Sequence, residues 1–130
     1  MQYKGMLAEL APEIVKTSLG RQTNADVAEF IRANFVKGMR SGSNLCYDID
    51  RTKPNFTDYN TEGTFSTEEF FHYANMAIKD NYVKYVREPE MHAADGSGVG
   101  YFFRQEEFLM IFRSGVETEA EVLEVIAGIP

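Results

Sequence analysis

Between Asp58 and Glu69 the chain reads D-Y-N-T-E-G-T-F-S-T-E-E, with an oxygen-bearing side chain at nearly every position where a loop could wrap a hard cation. Asp58, Asn60 and Glu62 alternate, Gly63 follows at the bend, and Ser66 and Glu69 come three and six residues later. Calcium takes six to eight oxygen ligands at about 2.3–2.6 Å, and alternating carboxylates and amides around a single glycine suit that demand. The glycine is required because the chain must reverse there in a conformation that Cβ disfavours. Glu69 would supply a carboxylate from the start of the next helix. The same residues also have a metal-free use. Ser66-Thr-Glu-Glu69 is a capping box, and Asp58-Tyr-Asn with Glu62-Gly63 is ordinary turn chemistry. Only the full register, with Gly63 and Phe65 both in place, goes beyond what a turn needs.

The elements that must hold this segment follow from periodicity. Met6, Leu7, Leu10, Ile14 and Val15 recur at three- and four-residue spacing and predict a helix over Tyr3–Leu19. Pro12 either kinks that helix or starts a second one. A second helix is predicted from Asn24 to about Met39. Thr23 is its cap, and Val27, Phe30, Ile31 and Phe35 form its apolar face, interrupted by Asn34. Leu45, Tyr47 and Ile49 alternate with Cys46, Asp48 and Asp50, the pattern of a short strand. A third helix should begin near Thr67 and run through Phe70, Phe71 and Ile78. Tyr82 to Val86 reads equally as its continuation or as a strand, and Gly100 to Phe112 as a helix or two strands. Thr118 to Ile126 is the last predicted helix, with Glu119 and Glu121 favouring its N-terminal dipole.

The segment Asp58–Glu69 resembles the loop of the EF-hand family. Carried over, the resemblance implies side-chain coordination by Asp58, Asn60 and Glu62, a backbone carbonyl from Thr64, direct or water-mediated binding by Ser66, and both oxygens of Glu69. A weaker second match, Asp95–Glu106, places Asp95, Ser97 and Glu106 in equivalent positions, while Val99 replaces a ligand and Phe103 stands where Ser66 does. The entering helix departs from the family, because Pro54 lies four residues ahead of Asp58 and 44–55 lacks helical periodicity. The fold implied is mostly α: one domain, with two N-terminal helices in residues 1–43 ahead of an EF-hand-like helix-loop-helix pair in 44–130. The implied function is a calcium-responsive module that engages a protein partner through Phe70, Phe71 and Met76.

Composition narrows the alternatives. The 130 residues are 44% hydrophobic and 13% aromatic, enough for one folded core and against disorder. The formal charge of −7, with 13 scattered Lys and Arg, argues against direct phosphate binding and for a cation or a protein partner. No apolar run approaches the roughly 18 residues of a membrane span. One cysteine cannot form an internal disulfide, so a reducing, cytoplasmic setting is the expectation. Two distant histidines and one cysteine make no zinc cluster. Gly96, Gly98 and Gly100 lack the Lys and Ser/Thr of a phosphate loop. No arrangement suggests catalysis. The competing expectation is therefore a metal-free, acidic interaction protein of α+β type, such as an assembly factor or an inhibitor mimicking DNA charge. It would have a small antiparallel sheet, with strands at 44–50, 82–87 and 99–112, and three to four helices.

Overall fold

A computed structural model describes residues 5–42, 44–91 and 108–130. Strand β1 (Gly5–Glu9) leads through helices α1 (Ala11–Ser18) and α2 (Asn24–Ser41) to strand β2 (Asn44–Asp50). A long connection follows, carrying a 3-10 turn at Phe56–Tyr59, the one-turn helices α3 (Thr67–Phe70), α4 (Tyr73–Met76) and α5 (Lys79–Tyr82), and further 3-10 turns at Val83–Tyr85 and Glu88–Met91. Strand β3 (Leu109–Ser114) and helix α6 (Glu119–Ala127) complete the order.

The strands form one sheet in the order β1-β2-β3, and both pairings are parallel. This overturns the mostly α expectation and the antiparallel sheet of its alternative. Parallel neighbours need long crossovers rather than hairpins, and both connections here are long and helical. The strand considered at 82–87 is instead the end of α5 and a 3-10 turn.

The predicted first helix divides at Pro12. Pro12 lies in the first turn of α1, where its missing N–H costs nothing. Residues ahead of it pair with β2, and the Leu10 amide donates to the Asp48 carbonyl at 3.0 Å. Met6, Ala8 and Leu10 thus alternate into the core, a period of two hidden inside an apparent helical stripe. Helix α2 forms as its pattern predicts. Thr23 and Asp26 close a reciprocal capping box, and Val27, Ile31, Phe35 and Met39 are buried. The predicted third helix breaks into α3, α4 and α5. Its residues include Phe70, Phe71, His72 and Asn75, weak helix formers, and Phe70 and Phe71 are held by different neighbours. Phe70 packs on Phe35 and Tyr85 at ring distances of 4.7 Å each, whereas Phe71 packs on Phe56 and Phe112 at 5.3 Å each.

All of this lies on one side of the sheet. Leu45, Tyr47 and Ile49 are at most 1% exposed, and the Tyr47 hydroxyl donates to the Ile31 carbonyl of α2 at 2.6 Å. On the same face Phe112 stacks on Tyr47 at 5.3 Å and meets Phe56, from the second connection, at 5.0 Å. Three parallel strands in sequential order, joined by crossovers of one hand, carry those crossovers on one face, and the described parts of both connections pack there. Arg32, 3% exposed, fastens α2 to the second connection: Nη1 donates to the Tyr85 carbonyl at 2.8 Å and to Glu90 at 2.6 Å, and Nη2 to Glu29 at 2.5 Å. No helix among the described residues is long and apolar enough to cross a membrane.

Candidate functional site

Asp58 sits exposed in the 3-10 turn, which Asn55 caps by accepting from the Thr57 amide. The Asn60 side chain reaches across to α3: its Oδ1 accepts from the Thr67 amide at 2.8 Å and its Nδ2 donates to Thr67 Oγ1 at 3.3 Å. Thr61 to Phe65 closes on itself, with Thr61 N to Phe65 O at 2.9 Å and Phe65 N to Thr61 O at 3.0 Å. Gly63 turns that loop at φ +73°, where a Cβ would be strained. Glu62 is exposed, and Thr64 Oγ1 accepts from Arg87 at 3.1 Å. Ser66 precedes α3 without a side-chain cap bond, a task that Asn60 performs instead. Both Glu69 oxygens face the Lys84 ammonium, at 3.2 and 3.1 Å. Beside them, burial and then the Glu69 carboxylate push the Tyr85 hydroxyl up to about 12.

Asn60, Glu62, Ser66 and Glu69 therefore do share a shallow hollow of about 440 Å³. Within it the Asn60 oxygen accepts from a helix start and Glu69 Oε1 from the Lys84 ammonium, while the buried Glu69 Oε2 has that ion pair but no hydrogen-bond partner among the described residues. Among the described residues no group of three or more His, Cys, Asp or Glu could hold a metal ion. Asp95, Ser97 and Glu106 of the weaker second loop lie outside the described residues. Phe70 and Met76 are each 3% exposed, and Phe71 packs partly buried against the core. These three face an apolar cavity of about 210 Å³ with Phe35, Phe108 and Phe112, rather than solvent.

The sheet's other face is different in kind. Its side chains form three rows across β1, β2 and β3: Gly5–Asn44–Leu109, Leu7–Cys46–Ile111 and Glu9–Asp48–Arg113. Leu7 is 58% exposed, Leu109 45% and Ile111 39%, with Cys46 half-buried between Leu7 and Ile111. A row of apolar side chains thus lies open on a parallel sheet, with an acidic corner at Glu9 and a basic one at Arg113. At the strands' C-terminal ends this face runs into a hollow of about 680 Å³ between Glu9, Asp48, Asp50 and α1, with Val15 and Leu19 exposed on its far wall. Asp50 there adopts φ +47°, the one non-glycine positive φ among the described residues. Asp48 Oδ1 accepts from the Asp50 amide at 2.9 Å and steadies that turn.

Sequence periodicity hides this face, because Leu7 fits a helical stripe and Gly100 to Phe112 reads equally as a helix or two strands. The available signal was the alternation of Met6, Ala8 and Leu10 ahead of a proline. No protein-family model, curated protein or solved structure matches the chain.

Proposed function

We propose that this chain is a metal-free interaction domain whose bare sheet face receives a protein partner. One observation carries the reading: among the described residues the sheet is wholly parallel, with a covered face built from Leu45, Tyr47 and Ile49 and an exposed face carrying Leu7, Leu109 and Ile111. Parallel sheets occur almost only with both faces covered. Contiguous exposed apolar surface rimmed by polar residues is a feature of protein contact sites. The acidic balance of −7 favours a partner with basic or apolar surface over nucleic acid.

The single thiol at the centre of this face supplies the test. A benzophenone maleimide attached to Cys46 and irradiated in cells expressing the chain should yield a defined protein adduct. That adduct should vanish in Leu7→Asp/Ile111→Asp and persist in Leu123→Asp, which alters an equally exposed apolar residue on α6. Adduct formation that both variants leave unchanged would remove the bare face as the binding surface.

A further inference from the structure

Resting on that reading, we propose that the occupant of the bare face is a second copy of this chain, packed sheet against sheet about a two-fold axis parallel to the strands. The pattern of the face argues for this partner. Cys46 stands at the centre with Leu7 on one side and Ile111 on the other, and Glu9 and Arg113 flank Asp48 in the same way. Rotation about an axis running along β2 exchanges the two flanking strands. Leu7 then lies over Ile111 of the other copy, and Glu9 over its Arg113, each contact occurring twice. Leu109 falls over Gly5, a large side chain over a residue with none. The contact is isologous and closes on itself. The other face-to-face two-fold, with its axis across the strands, sets Glu9 over Gly5 and Arg113 over Leu109, so both charges lose their partners. Charge complementarity thus selects one arrangement. Among the described residues, Arg113 has no ion pair within its own chain that would compete.

Packed sheets lie about 10 Å apart with strands inclined by about 30°, an angle the axis divides equally between the copies. The patch is three strands wide and five residues long, roughly 15 by 17 Å. That is well below the roughly 800 Å² per partner of a stable complex, so self-association is weak, with Kd on the order of 10⁻⁵ to 10⁻³ M. The two Asp48 carboxylates face one another near the axis and oppose it further. At about 10 Å separation the two Cys46 residues exceed the roughly 7 Å Cα limit for a disulfide, whereas a short bis-maleimide spans them.

Sedimentation velocity on the full chain, from about 10 μM to about 1 mM, should show reversible dimerisation in that range. Glu9→Arg or Arg113→Glu alone should raise Kd about tenfold, the double reversal should return it to within about threefold, and Asp48→Asn should lower it. A short bis-maleimide should give covalent dimer at the same concentrations, lost in Leu7→Lys/Ile111→Lys. A chain monomeric at about 1 mM overturns the inference, as does a dimer in which the two charge reversals add instead of compensating. In either case a Cys46 photo-adduct with a different protein would still uphold the bare face as a binding surface. An adduct of two copies of the chain supports both.

Discussion

If the bare face serves a contact and not the fold, polarising it should cost the isolated chain little. Full burial of a Leu or Ile side chain is worth about 1.5–3 kcal/mol. Leu7 keeps 58% of its surface exposed and Ile111 39%, so folding gains at most roughly 1.3 and 1.8 kcal/mol from them. Lysine at these positions retains apolar stem against the sheet and is well tolerated on edge strands. Leu7→Lys/Ile111→Lys should therefore lose about 1 kcal/mol in total. With an unfolding entropy of about 2.1 cal/mol/K per residue, that is about 4 °C in Tm for a chain of this length. Leu45→Ala, at a position with 0% exposure on the opposite face, should lose about 2–5 kcal/mol, or about 8–18 °C. Thermal unfolding followed by circular dichroism at about 1 μM, where a dimer this weak is mostly dissociated, measures both. Repeating it at about ten times Kd should raise the wild-type Tm by about 3 °C and leave the double variant unmoved, since only the paired state gains from concentration. A loss of about 3 kcal/mol or more in the dilute double variant would show that Leu7 and Ile111 hold the fold itself, and the argument from the bare face would collapse.

Three other expectations test the surrounding structure. Arg32→Met removes the group joining Glu29, Glu90 and the Tyr85 carbonyl and should cost about 3 kcal/mol, about 10 °C in Tm, with Arg32→Lys recovering only part; a change below about 1 kcal/mol would refute the clamp. Burial holds the Tyr47 hydroxyl well above the usual phenol range, so the folded state keeps a proton that the unfolded chain releases. Its contribution is intact below about pH 10 and falls above it by up to about 1.4 kcal/mol per pH unit. Tyr47→Phe should accordingly be about 1 kcal/mol less stable at neutral pH yet show a shallower alkaline decline, and parallel pH curves would count against this. Because Asn60 caps α3 and Glu69 pairs with Lys84, calcium or chelator should leave Tm unchanged, whereas Asn60→Ala should cost about 1 kcal/mol; saturable calcium heat that disappears in Asp58→Ala/Glu69→Gln would reverse that reading.

What could be read from residue order divides by the range of the interactions involved. Helix α2 was legible because its capping box, apolar face and closing glycine lie within one segment and agree. Strand β2 was legible from its alternation, and α6 from Thr118 and the acidic first turn. Strand β1 was hidden because Met6, Leu7 and Leu10 satisfy a helical spacing, and only pairing with residues some forty positions away decides between the two periods. The broken region 67–85 escaped for a related reason. Its conformation is set by Phe70 and Phe71 docking on different neighbours, and packing of that kind overrides a local preference.

The cation-loop pattern itself has a physical origin that needs no ion. A tight reversal wants a glycine at positive φ, a helix start wants an oxygen acceptor for its free amides, and an exposed helix face wants a carboxylate to meet a nearby lysine. Gly63, Asn60 and Glu69 fill those three needs here, and Phe65, 2% exposed, anchors the turn in the core against Phe70 at 5.0 Å. A calcium loop is assembled from the same residue types because it too must turn, expose oxygens and begin a helix. What sets the conformation here is long-range: Lys84 and Arg87, brought in from the second half of the connection, meet the Glu69 carboxylate and the Thr64 hydroxyl. Spacing along the chain is silent about those two cations, and equally silent about which sheet face the crossovers leave open.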